Sequence, residues 1–178
     1  GRVDEAVALH EQILADRLRV LGPDHPDTLT SRNNLAGAYE LAGRLGEAIA
    51  LFEEALADCV RVLGADHPDT LNLRNNLAGA CYAAGRVDEA IVLFDQTLDD
   101  SLRVLGPDHP DTLASRNNLA SAYYAAGRVD ETIALFEEVL ADSLRVLGPD
   151  HPSTLTSRRN LEAARRARES GGASARAP

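Results

Sequence analysis

The chain repeats itself every 42 residues. The string "LGPDHPDTLTSRNNLAGAYELAGR" begins at Leu21, returns almost unchanged at Leu63 and Leu105, and comes back eroded at Leu147. The leading glycines are Gly22, Gly64, Gly106 and Gly148, each 42 positions from the last. Self-similarity at a fixed period of this size marks a repeat architecture. One such unit is too short to bury its own apolar face, so neighbours must stack to make a continuous core. Counting domains from length alone would therefore mislead.

Each unit reads as two helices. The first spans about 26–41: Pro26 suits a first helical turn, where its missing N–H is not needed, and Asp27 suits the positive end of the dipole. Gly43 is a natural stop. The second spans about 46–63, with Ala48, Ile49, Phe52, Leu56, Val60 and Leu63 on one stripe and Glu47, Glu53, Glu54 and Asp58 turned to water. The whole chain then holds eight helices: a lone second-type helix at about 3–21, pairs at 26–63, 68–105 and 110–147, and a last first-type helix at about 152–169. The fold class expected is all-α, a right-handed superhelical solenoid of antiparallel helix pairs. The array covers 1–169, as a partial repeat (1–21), full repeats (22–63, 64–105, 106–147) and a capping helix (148–169). Residues 170–178, "SGGASARAP", read as a flexible tail.

Composition narrows the function. The formal net charge of −10 argues against binding phosphate backbones, so no nucleic acid is expected. No stretch approaches the roughly 20 apolar residues of a membrane span. All 18 basic residues are arginine, a bias typical of a GC-rich genome. Without lysine, neither a P-loop nor a Schiff-base enzyme fits. Cys59 and Cys81 are too few for a disulfide framework and read as free thiols in a cytoplasmic protein, with Cys81 in the core. The opening "GRVDEAVALHEQIL" matches the interior of later repeats ("GRVDEAIVLFDQTL" from Gly85), so Gly1 reads as a cut inside a longer protein.

Leu35, Ala36 and Tyr39, followed by Ala48 and Phe52, have the spacing L-[GA]-x-x-Y…A-x-x-x-F of the tetratricopeptide repeat. Leu77, Ala78, Ala90 and Phe94 repeat it, as do Leu119, Ala120, Tyr123 and Phe136. The tryptophan position holds Arg32, Arg74 and Arg116; Cys81 replaces the tyrosine and Thr132 the second alanine. The period exceeds the usual 34 by eight residues, which lie after Phe52. With "DHPDT" and "NNLA", this longer unit closely resembles the kinesin-light-chain class of tetratricopeptide repeats, over residues 1 to about 169. Bacterial proteins often carry such arrays beside signalling domains.

No constellation of residues points to catalysis. His25, His67, His109 and His151 stand one per repeat, too far apart to converge on a metal ion at about 2 Å; they and their neighbouring aspartates are expected to order the turn. The glutamates of the second helices read as a solvated face. No nucleophile–base pair is visible, so the chain is read as non-catalytic, with no cofactor and no metal.

The asparagines are more telling. Asn33–Asn34, Asn75–Asn76 and Asn117–Asn118 recur inside the first helices, where asparagine is a mediocre helix former. By the resemblance, the first helices line a concave groove, and Asn33, Asn75 and Asn117 fall on its face. They would either pair with the backbone of an extended ligand or hold adjacent first helices in register. The same phase places Glu40, Asn72, Tyr82, Tyr124 and Arg159 in the groove, with Tyr82 and Tyr124 as anchors. Gly37, Gly79 and Ser121 leave room for approach. The function expected is a scaffold binding a protein or peptide ligand; the alternative is a structural assembly or intramolecular regulatory element of a larger signalling protein. At the ends, Glu162 and Arg165 occupy slots that hold Ala36 and Tyr39 earlier, as in a polar cap. Val7, Ile13, Leu14 and Leu18 would be partly uncovered, so self-association is expected through the N-terminal end.

Overall fold

The computed structural model describes residues 1–174. Among them are eight α-helices and no strand: α1 (Arg2–Leu21), α2 (Pro26–Leu41), α3 (Leu45–Leu63), α4 (Pro68–Ala83), α5 (Val87–Val104), α6 (Pro110–Ala125), α7 (Val129–Val146) and α8 (Pro152–Ser174). The fold class is all-α, as the periodicity predicts. Of the tail expected over 170–178, the part after Ser174 lies outside the described residues, and α8 continues up to that point. The chain forms two compact units, Gly1–Leu93 and Phe94–Pro178, with the boundary inside α5. In the first, α1 lies on α2, α2 on α3 and α3 on α4, and the first-type helices α2 and α4 also touch. In the second, α6 lies on α7 and α7 on α8.

The repeated turn explains why every first-type helix starts where it does. The backbone N–H of Asp27 donates to Nδ1 of His25 at 3.1 Å. His67 receives Asp69 in the same way, His109 receives Asp111 and His151 receives Ser153, each at 3.2 Å. The histidines are thus N-caps: the ring nitrogen satisfies an amide that the first helical turn leaves unpaired, with proline at the next position. The other turn depends on Gly43. Its φ of 73° lets Arg44 N–H reach back to Tyr39 carbonyl at 2.9 Å and close the helix end.

Small residues form the centre of each pair. Ala36, Ala78 and Ala120 on first-type helices are wholly buried, as are Ala48, Ala90 and Thr132 on second-type helices. The Thr132 hydroxyl, set where alanine is usual, donates to Arg128 carbonyl at 2.8 Å and so carries no unmet polar cost. The buried stripe of α3 is Ala48, Ile49, Phe52, Ala55 and Cys59. This corrects the expected stripe: Val60 is exposed and Leu56 only half-buried. Cys81 is buried, and burial pushes its thiol up to about 11, as it also raises that of Cys59; both are free.

Asp58 does not simply face water, because the arginines in the tryptophan slot reach across to the second helix. Arg32 pairs with Asp58. Arg61 holds Asp58 at 2.9 Å and clasps Asp24 in the preceding turn with two bonds, at 3.1 and 2.5 Å. The second unit repeats this four-residue network: Arg116 pairs with Asp142, and Arg145 bonds Asp142 at 2.9 Å and Asp108 at 2.7 Å. Arg116 is only 7% exposed. Its charge is therefore costly to leave alone.

Two expectations follow. Asp142→Ala should destabilise the protein by about 2 kcal/mol in urea melts, since it strips a buried guanidinium of its closest partner; a loss under about 0.5 kcal/mol would show that the slot tolerates a bare charge. The bond from Arg61 lowers the carboxyls of Asp24 and Asp58, and that from Arg145 lowers Asp108. Depressed folded values give stability that is full above the unfolded carboxylate pKa, about 4, and is lost as pH falls through the folded values. Urea midpoints should therefore hold steady from neutrality to about pH 5 and drop below about pH 4.

Candidate functional site

The candidate groove residues lie on the first-type helices, where half-buried amides border clefts. In the first unit, Asn33 Oδ1 accepts from Asn76 Nδ2 at 3.0 Å. In the second unit, Asn117 Oδ1 accepts from Asn160 Nδ2 at 3.4 Å. Each pair links the first asparagine of one repeat to the second asparagine of the next. The two candidate roles of the asparagines thereby divide by atom. The carbonyl oxygen of Asn33 or Asn117 is used between helices, while its amino group bonds no described residue and stays half-buried at a cleft. Asn75 is half-buried on α4 and also takes part in an interaction.

Three clefts lie beside these amides. One in the first unit, about 630 Å³, brings Asn33, Gly37 and Glu40 of α2 together with Ala6 and His10 of α1 and Asn76 of α4. A smaller one, about 160 Å³, sets Asn33 and Thr30 beside Asn72, with Leu29, Cys59 and Leu63 as its apolar wall. In the second unit, a cleft of about 560 Å³ holds Asn117 and Ala114 beside Val139, Ser143 and Leu147 of α7 and Thr156 of α8. Tyr82 and Tyr124 stand 40% and 46% exposed on α4 and α6, and neither borders these clefts. Arg159 is exposed on α8 and bonds the Thr156 hydroxyl at 3.2 Å. The Ser121 hydroxyl turns back onto Asn117 carbonyl at 2.9 Å.

Glu40 is electrostatically distinct. It is half-buried, and desolvation holds its carboxyl above the ordinary carboxylate range with no neighbouring charge to offset it. His10 escaped the sequence reading. It occupies the position that Phe52, Phe94 and Phe136 hold in later repeats, so a comparison of the repeats position by position would have singled it out. Among the described residues no group of three histidine, cysteine or acidic side chains could hold a metal ion. No helix there is long and apolar enough to cross a membrane.

The model of a family described as "Tetratricopeptide repeat" matches this chain four times, over residues 1–59, 33–100, 69–141 and 114–170. The chain belongs to the tetratricopeptide repeat family. Its kinesin-light-chain-like character is supported by crystal structures of nearly identical TPR-like repeats from a protein of Podosopora anserina assigned as a kinesin light chain. The first is 38% identical, with a TM-score of 0.83 over 96% of this chain and 81% of that one. A variant of the same repeats gives 38% identity and a TM-score of 0.84 over 96% and 80%. BtubC (BKLC) from P. vanneervenii shares the fold at 24% identity, with a TM-score of 0.83 over 95% of this chain and 67% of that one. No curated protein matches the chain. Tetratricopeptide repeats are in general protein-interaction scaffolds rather than catalysts.

The amide pairs make their own prediction. Asn76→Ala removes the donor to Asn33 and should cost about 1 kcal/mol in a thermal or urea melt; no change would mean that the pair holds nothing. Glu40→Gln should stabilise the protein at pH 7 by about 0.5 kcal/mol. A raised folded pKa makes the ionised form a cost at neutral pH, so this gain should fade as pH falls and Glu40 itself takes up a proton.

Proposed function

We propose that this chain is a non-catalytic protein-binding module that takes an extended peptide segment along the first-helix face of its units. The observation that carries this reading is the split use of Asn33 and Asn117. Their carbonyls are spent between helices, but each leaves an NH₂ group, with two donors, at a cleft. A half-buried donor without a partner favours an incoming acceptor, and every residue of an extended peptide offers a carbonyl. Asn75 and Asn72 extend the same face. Tyr82 and Tyr124, exposed and amphipathic, serve as anchors for side chains, and Arg159 offers an acceptor-seeking group on α8. Two unpaired thiols suit a reducing, cytoplasmic setting.

The second reading is an assembly element that joins copies through the N-terminal end. Only part of the stripe expected to be uncovered supports it: Leu18 is exposed and Ile13 and Leu14 are half-buried, whereas Val7 is buried against Leu35 and Ala38, because α2 alone covers it.

One pair of variants separates ligand binding from the structural use of the same amides. Asn33→Asp and Asn117→Asp keep an oxygen for Asn76 and Asn160 but remove the free donors. Against a peptide selected from an extended-peptide library, each should weaken binding by about tenfold, with the melting midpoint nearly unchanged. Equal affinity for parent and variants would remove the groove amides from recognition. Failure of the library to yield any binder would turn attention to the assembly reading.

A further inference from the structure

Two of the clefts described above are one cleft in different repeats. Two periods along the sequence carry Leu29, Asn33, Cys59 and Leu63 of the smaller cleft onto Leu113, Asn117, Ser143 and Leu147 of the cleft in the second unit. Each runs between one repeat and the next, walled by α2, α3 and α4 or by α6, α7 and α8. The first holds about 160 Å³ and the second about 560 Å³, which is within the range of ligand pockets.

The side chains account for the difference. Leu73 lines the smaller cleft and is only 3% exposed; Ser157 stands in its place in the larger one. Thr156 replaces Asn72, Ser153 replaces Asp69 and Ala114 replaces Thr30, each a smaller side chain. Against these, Val139 in place of Ala55 adds bulk. Between α1 and α2 the same slot is filled in another way. Arg17, in the position of Cys59 and Ser143, donates to the hydroxyl of Ser31 at 2.8 Å, and Ser31 is in the position of Leu73 and Ser157. In the first unit a long side chain thus closes the slot both times, whereas Ser143 and Ser157 leave it open in the second.

The open cleft is uncharged where a ligand would sit. Its apolar wall is Leu113, Val139 and Leu147. The Ser157 hydroxyl donates to Ser153 carbonyl and that of Thr156 to Pro152 carbonyl, each at 3.0 Å, so both hydroxyl hydrogens are engaged. Asp108, the charged residue of the lining, is already held by Arg145 at 2.7 Å. A charged side chain entering here would give up water without meeting a free counter-charge. An aliphatic one would displace water from leucine and valine, which favours binding. Leucine is also the side chain with which the protein plugs the equivalent cleft in its first unit. Asn117 lines the open cleft, and its amino group bonds no described residue. One residue of an extended ligand can therefore give its carbonyl to Asn117 and its side chain to the cleft.

We propose that the cleft between α6, α7 and α8 is a specificity pocket for an aliphatic side chain of about leucine size, carried by the peptide that the first-helix face holds, and that Leu73 withholds the same pocket from the first unit. The inference rests on the peptide-binding reading above and adds the class of residue that the partner must carry. Ser157 is its specificity-determining residue: a small side chain there admits the ligand's leucine, and a leucine there excludes it.

NMR titration of the 178-residue chain with N-acetyl-leucine N-methylamide, which carries one leucine side chain and two carbonyls, tests the pocket without a selected partner. The amide signals of Val139, Ser143 and Ser157 should shift and saturate with a Kd of about 1–10 mM, and those of Cys59 and Leu73 should not. The alanine counterpart should bind about tenfold more weakly. Ser157→Leu should abolish the shifts, with a melting midpoint no lower than the parent's. Ala114→Gln narrows the same cleft from an exposed position, so it folds as the parent does, and it should weaken the probe about threefold or more. Peptides from the extended-peptide library should carry Leu, Ile or Met at one fixed position. Changing that residue to Ala should cost about tenfold in affinity for the parent and less than about twofold for Ser157→Leu. No saturable shift, equal binding of the two probes, or binding that neither variant weakens overturns the pocket. A peptide that Asn117→Asp weakens but that shows no aliphatic preference, or prefers Asp or Glu there, overturns the pocket and leaves the peptide reading standing. Probe binding with no peptide recovered overturns the peptide reading, while the aliphatic preference of the cleft stands.

Discussion

Close approach of two helices within each pair is the constraint from which the rest of the structure follows. The residues at its centre, Ala36, Ala48, Ala78, Ala90 and Ala120, have no exposed surface at all. A larger side chain there would have no room to move into, because protein interiors are packed as tightly as organic crystals. Everything else in the repeat serves that contact. The histidine cap and its proline fix where the first helix begins, and Gly43 with its counterparts returns the chain at the required angle. Phe52, Phe94 and Phe136 then fill the spaces that the small residues leave.

Charged residues occupy one slot where an aromatic ring would ordinarily supply apolar surface. Arg116 buries its guanidinium almost fully and needs Asp142 for that reason; Arg32, a little more open, needs Asp58. Such pairs add little net stability, since desolvation offsets most of the attraction. What they add is discrimination. A second helix displaced by one turn would separate arginine from aspartate and leave a buried charge unpaired. The asparagine pairs act in the same sense between first-type helices, at the scale of neutral hydrogen bonds. A protein core made so largely of alanine has few bulky shapes with which to specify a single alignment, and these polar contacts supply what shape does not.

The fold was legible because its signals recur. Proline, glycine and the small–large spacing each appear three or four times at one phase, so accidents of a single copy cancel. The course of α2 and the eight-helix count could be read directly. The buried stripe of α3 was harder: Val60 and Cys59 are adjacent and both apolar, and only the angle of the neighbouring helix decides that Cys59 turns inward. Asp58 was misread as solvated for a similar reason. Its partner Arg32 lies 26 residues away, and pairing across two helices cannot be seen in a local pattern. The asparagines stand out in the sequence as poor helix formers set inside helices. Sequence could not divide their atoms between two uses, because that depends on which oxygen faces which helix. His10 was legible in principle, since it departs from the phenylalanine that the chain's own repeat sets at that position.

The four copies also serve as an internal comparison, and their differences fall in a pattern with a physical cause. The threonine at 28, 70, 112 and 154 is fully buried and never changes. The leucine at 35, 77, 119 and 161 is buried and never changes either. Twelve positions after the threonine the residues are Glu40, Tyr82, Tyr124 and Arg166, a carboxylate, two phenols and a guanidinium. Two positions after it they are Thr30, Asn72, Ala114 and Thr156, all exposed. Both variable registers share the helices that carry the asparagines. The asparagines are constant or nearly so, and the side chains around them differ in charge and shape from repeat to repeat. Glu40 stands apart among them, because desolvation holds its half-buried carboxyl above the ordinary carboxylate range.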